Sequence, residues 1–133
     1  MKFLSFFILL AATALAQPLD QDRFLHAVRQ VETGQGWDGT PGKHGEMSHW
    51  QITPATWRQH TALPFDLARD PAIARLVAAK HACWLAAGLQ RAGYAPTPAR
   101  VGTAWNVGLG AFVRSGGVIN DHGQRIANLY LSH

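Results

Sequence analysis

Three prolines in this chain each follow a hydroxyl or carboxylate side chain and open a stretch with helical spacing of apolar residues: Thr53-Pro54, Asp70-Pro71 and Thr97-Pro98. Proline has no N–H to leave unpaired, and its fixed φ already suits a helix, so it is well tolerated at the first helical position. The Thr or Asp before it accepts a bond from a free N–H of the first turn. Each pair predicts a helix start. The second opens the longest and most central helix, in which Ile73, Leu76, Val77, Trp84, Leu85 and Leu89 form a broad apolar face running to about Gly88 or Gly93.

Two more helices follow from the same reasoning. Phe24, Leu25, Val28 and Val31 recur at helical spacing behind Asp20 or Asp22, predicting a helix from about Asp22 to about Glu32. Asn120 or Asp121 caps a last helix carrying Ile126, Leu129, Tyr130 and Leu131, and the helix begun at Thr97-Pro98 ends at Asn106 to Gly108. No run alternates with period two for long enough to demand a strand. The expected class is all-α: a small single domain of about five or six helices around a long central one, with at most a short ribbon in the loop after the first helix. That loop, from Thr33 to Ser48, carries Gly34, Gly36, Gly39, Gly42, Gly45 and Pro41, a composition that resists helix, and its length suits a functional loop.

The beginning of the chain reads as a secretory signal over residues 1–16, with Lys2, the apolar run Phe3–Ala12 and the small-residue pattern Ala14-Leu15-Ala16 before Gln17. Residues 17–133 then form the single domain, and the expected location is secreted or periplasmic. The apolar run is too short to span a bilayer, so no stable membrane insertion is expected. A formal net charge of +4 favours anionic surfaces, but the basic residues are scattered and no nucleic-acid-reading motif accompanies them, so nucleic acid is not an expected partner. Cys83 is the single cysteine, which rules out an internal disulfide. Between Ala82 and Trp84 in the long helix it reads as a small buried hydrophobe. Among seven histidines, His44, His49 and His60 lack the paired spacing of a metal site, and neither metal nor cofactor is expected.

Only two glutamates occur, and Glu32 falls where a helix tolerates an acid badly, in the last turn against the negative end of the helix dipole. A carboxyl there, half shielded by apolar neighbours and facing a cleft beside a Gly-rich loop, suits a general acid with a raised pKa. Gln51, Trp105 and Asn106 add the polar and aromatic groups that a sugar polymer needs. Cleaving a glycosidic bond requires a proton for the leaving oxygen as an oxocarbenium-like centre develops. A hydrolase also wants a second carboxylate, at about 5–5.5 Å for retention or about 6.5–9.5 Å for inversion. Glu46 and Asp38 are the candidates nearby in sequence. Each of these residues also has a structural reading: Gln51 ties down loop backbone, Asn106 caps a helix beside Gly108, Trp105 packs in the core, and Glu46 is a solvated loop charge. Tyr130 reads as packing with its hydroxyl satisfied.

The order of these pieces resembles the lysozyme-like lytic transglycosylases of the soluble type, with goose-type lysozymes as distant relatives. In that family a glutamate followed by a small hydroxyl residue closes the first helix, as in Glu32-Thr33. A Gly-Leu-Met-Gln segment before a Pro-x-Thr helix start resembles Ser48-His49-Trp50-Gln51 before Pro54-Ala55-Thr56, and Ala-Tyr-Asn-x-Gly resembles Ala104-Trp105-Asn106-Val107-Gly108. The family's last motif carries a tyrosine where this chain has His122; Tyr130, eight residues on, is the alternative. The resemblance implies Glu32 as the catalytic acid and base, with Thr33, Ser48, Gln51, Trp105, Asn106 and His122 about the substrate; Glu46, on the Gly-rich loop, is a further candidate for the substrate site from its residue type and place alone. It implies an enzyme that cleaves the β-1,4 MurNAc–GlcNAc bond of peptidoglycan, or of a related amino-sugar polymer, and leaves 1,6-anhydro-muramyl ends, acting as a monomer. The other readings are a lysozyme or chitinase-type hydrolase using a second carboxylate, a non-catalytic wall-binding module with tryptophan stacking surfaces, and a basic membrane-active protein. The last would show a Lys/Arg-rich amphipathic face that this chain lacks.

Overall fold

The computed structural model describes residues 18–34 and 36–132; the segment read as a secretory signal lies outside the described residues. Six α-helices make up the described part: α1 (Gln21–Thr33), α2 (Pro54–His60), α3 (Pro71–Arg91), α4 (Pro98–Val107), α5 (Leu109–Arg114) and α6 (Asp121–Leu131), with a 3-10 turn at Phe65–Arg69. The all-α class expected from the sequence is the class observed. The only strand-like feature among the described residues is a single antiparallel bridge between Met47 and Ile52.

The helix starts work as their chemistry demands. Thr53 Oγ1 accepts from Thr56 N at 3.2 Å, Asp70 Oδ1 from Ala72 N at 2.9 Å, and Thr97 Oγ1 from Arg100 N at 3.3 Å, each ahead of its proline. Asp20, rather than Asp22, caps α1 through Arg23 N, and Asn120, rather than Asp121, caps α6 through Gly123 N. Caps of this kind contribute roughly 1 kcal/mol apiece. Helix α5 has no such signal: its N-cap residue is Gly108, whose φ of 91° favours glycine and which has no side chain with which to cap.

Phe24, Leu25 and Val28 of α1, Trp57 of α2, Leu85 and Leu89 of α3, Val101 of α4, Phe112 of α5 and Ile126 of α6 are all buried in one core. α3 packs against α1, α2, α4 and α5, as expected of a central helix. It is the one described helix long and apolar enough to cross a membrane by length and composition. Its apolar face is wider than the core that covers it. Leu76 is 64% exposed and Trp84 is 40% exposed, so these two, expected inside, lie on the surface. Cys83 lies beside them and is exposed as well, correcting its reading as a buried hydrophobe. It sits in the long helix as expected, but on a solvent-facing side at the edge of α1, where Gln21 Nε2 donates to its Sγ at 3.0 Å.

The contact that matters most for the site is between α4 and α6. Gly102 and Gly123 let the two helices approach so closely that a Cβ on Gly123 would collide with Thr103 Oγ1 and stand 2.5 Å from the Ala99 carbonyl oxygen. Thr103 Oγ1 also accepts from Asn120 N at 3.2 Å, which fixes the first turn of α6 onto α4. Since α6 also packs along α1, its first turn comes to lie beside the last turn of α1.

Candidate active site

The Gly-rich loop after α1 is irregular but tightly bonded. Trp50 Nε1 donates to the Leu25 carbonyl at 2.9 Å, and Thr33 Oγ1 lies 3.1 Å from the carbonyl oxygens of both Arg29 and His49, so the far end of the loop is pinned to α1. Residues 42–46 close on themselves through Gly42 N to the Glu46 carbonyl at 2.8 Å and Gly45 N to the Gly42 carbonyl at 2.9 Å. The Glu46 carboxylate accepts from His44 N at 3.1 Å, and Gly42 leaves room for it, since a Cβ there would collide with Glu46 Oε2. Ser48 and Gln51 both adopt positive φ, 77° and 51°, and the turn they frame is closed by Gln51 Nε2 donating to the Ser48 carbonyl at 2.8 Å.

These constraints bring Glu32, Glu46, Gln51, Trp105 and Asn106 to the walls of one polar cavity of about 300 Å³, together with Gly42, Lys43 and Thr53. The loop therefore folds back over the end of α1, and both glutamates of the chain face the same space. The sequence does not single out Lys43 or Thr53 as site residues. Gly42-Lys43 and the helix start at Thr53-Pro54 mark both as turn positions, but nothing local says which loop side chain turns inward. Trp105 serves as wall and core at once: it meets Phe24 edge-on at 6.0 Å and His81 at 5.0 Å. Asn106 Oδ1 accepts from Asn120 Nδ2 at 2.9 Å, so the residue is exposed to the cavity yet oriented by α6.

Three of the expected contact residues stand elsewhere. Ser48 is 1% exposed and its Oγ accepts from Trp50 N at 3.2 Å, which makes it an inward brace of the turn. Thr33 holds loop backbone, as described. His122 is not among the residues that line the cavity; its Nε2 is 2.8 Å from Glu32 Oε1, with only 20% of its own side chain and 18% of that of Glu32 exposed. Asp38 is also outside the cavity. Hydrogen bonds from Thr40, its backbone N–H foremost, hold the Asp38 carboxyl below the usual range, and the group is fully exposed. Tyr130 is half-buried: its hydroxyl accepts from Asp20 N at 2.9 Å and Arg23 lies over its ring, so it ties the start of α1 to α6.

A larger groove, about 600 Å³, runs along α3 beside Leu63, Leu76 and Trp84, but its walls are mainly apolar and hold no carboxylate. Of the two, only the cavity of Glu32 is lined by carboxylates. No group of three or more His, Cys, Asp or Glu side chains able to hold a metal ion occurs among the described residues.

Fold and site together define a small all-α protein with a polar cleft built on a glutamate–histidine pair. No family model, no curated protein and no solved structure matches the chain.

Proposed function

We propose that the protein is an exported lytic transglycosylase that cleaves the β-1,4 bond between N-acetylmuramic acid and N-acetylglucosamine in peptidoglycan. The observation that carries this reading is Glu32: a largely shielded carboxyl at a helix end, hydrogen-bonded by His122 and facing a polar cavity with an aromatic wall. One carboxyl suffices for the reaction. Glu32 protonates the leaving glycosidic oxygen, then takes the proton of the muramyl 6-hydroxyl as that oxygen closes on C1, and is protonated again at the end. Trp105 offers a face for a sugar ring, Asn106 and Gln51 offer amides for N-acetyl and hydroxyl groups, and Lys43 supplies a cation suited to the carboxylates of the muramyl peptide.

Hydrolysis is the second reading, favoured by one observation, that Glu46 lines the same cavity as Glu32. Against it, the Glu46 carboxylate is engaged by His44 N and packed on Gly42, which makes it part of the loop rather than a free base.

Release of soluble fragments from purified peptidoglycan by the protein and its Glu32→Gln variant tests the assignment. The amide keeps the shape and cannot donate and recover a proton, so turnover should vanish while the melting temperature stays. Activity of the variant within about tenfold of wild type would refute the role of Glu32.

A further inference from the structure

His122 is absent from the cavity walls, yet its position is set from both sides. Asn120 Oδ1 accepts from Gly123 N at 2.8 Å, and Asn120 N donates to Thr103 Oγ1. The bare Cα of Gly123 presses on α4. The chain from 120 to 123 therefore has little freedom, and the ring is presented to Glu32 with Nε2 at 2.8 Å from Oε1. A side chain so held meets the site through the carboxyl it touches.

A carboxyl group has two oxygens, and an acid works only if its proton sits on the oxygen facing the leaving group. A single contact between Nε2 and Oε1 holds one proton between the two atoms. Were the proton carried by Oε1 and donated to the ring, it would point away from the cavity. With the proton on Nε2, Oε1 is occupied as an acceptor and Oε2 is left to carry the reacting proton. The same N–H then faces an anion once Oε2 has given its proton up, and a hydrogen bond to a charged oxygen is roughly twice as strong as one to a neutral oxygen. The bond therefore strengthens as the leaving group departs, which is where catalysis gains from it.

We propose that His122 is the positioning residue of Glu32: as the neutral Nε2–H tautomer it holds Oε1 and thereby assigns both proton transfers to Oε2. The ring gains and loses no proton during the cycle. The proton on Oε2 goes to the glycosidic oxygen, and the muramyl 6-hydroxyl returns one to the same atom. This rests on the reading of Glu32 as the acid and base of a glycan-cleaving reaction.

Two measurements test it. The first needs no substrate: ¹⁵N NMR of His122 in the wild-type protein at neutral pH should show a protonated Nε2 and a bare Nδ1, and a bare Nε2 would overturn the proposal. The second compares His122→Ala with His122→Gln on peptidoglycan strands. Losing one preorganised donor should lower kcat roughly a hundredfold. KM should stay within about twofold, because His122 does not line the cavity. The glutamine variant, which returns an N–H near the same place, should recover to within about tenfold of wild type. An active wild type whose two variants lose the same kcat, or lose it through KM, overturns this inference alone. A wild type that releases no product overturns the transglycosylase reading along with it.

Discussion

His81 meets Trp105 edge-on, with ring centroids 5.0 Å apart and planes at 61°, so an ionisable ring stands directly behind the aromatic wall of the cleft. The ring is 9% exposed, stacks on Trp84, and has its Nδ1 2.9 Å from His60 Nε2. Burial, and then the neighbouring His60, push His81 down to about 4, so it is neutral wherever the fold is intact near neutrality.

Acid should therefore weaken the fold through this residue. The unfolded ring takes up a proton near 6.5, whereas the folded one resists until about 4. Between those values the unfolded state binds more protons, so the His81 contribution is fully present above about pH 6.5 and is lost as pH falls towards 4. The ceiling is roughly 3 kcal/mol. His60 is lowered as well, by partial burial and then by Lys80, and works in the same direction. Urea unfolding at pH 7 and pH 5 checks this: stability should drop on acidification, and less so in His81→Phe. An equal drop in both proteins would assign the effect to other groups.

Glu46→Gln should lower turnover by no more than about tenfold. Glutamine keeps a carbonyl oxygen to accept from His44 N, so the loop stays closed and only substrate positioning suffers. A loss of roughly 10²–10⁴-fold would instead mark Glu46 as a general base and favour hydrolysis.

Gly123→Ala should destabilise the protein by about 3 kcal/mol, at the upper end of overpacking costs, because the added methyl meets backbone atoms of α4 that cannot move independently. Gly102→Ala should cost less, its nearest neighbour being Ile126 at 3.1 Å. Thermal melts of the two variants rank them. A Gly123→Ala protein as stable as wild type would mean that α6 does not sit so tightly on α4, and would remove the support argued for His122.

The exposed thiol of Cys83 should react with a maleimide in the native state, with fragment release from peptidoglycan unaffected, since the residue lies on the α3 groove and not in the cleft. Cys83→Ser should change stability by less than about 0.5 kcal/mol. Inactivation in step with labelling would tie the groove to the chemistry.

Local chemistry makes most of the fold legible in advance. A capping side chain before proline speaks for its own helix, and Thr53, Asp70 and Thr97 each announce a start that the structure has. α5 gives no such notice because Gly108 carries no side chain. The apolar run of α3 indicates a core helix correctly but not how much of its circumference is covered, so Leu76, Cys83 and Trp84 read as interior and lie on the surface. At the site, Glu32, Glu46, Gln51, Trp105 and Asn106 converge as their residue types suggest. The inward turn of Ser48 depends on a positive φ that no neighbouring residue predicts. The pairing of His122 with Glu32 joins residues 90 positions apart through the close approach at Gly102 and Gly123, and a packing relation of that kind is invisible to spacing along the chain.

In the proposed reaction Glu32 works without a hydrolytic water, and the chemistry of the product ends decides whether it does. Peptidoglycan digested by the protein in ¹⁸O-labelled water and analysed by mass spectrometry should yield 1,6-anhydro-muropeptides that carry no label at C1. Reducing muramyl ends labelled at C1, or no released muropeptides at all, would contradict it.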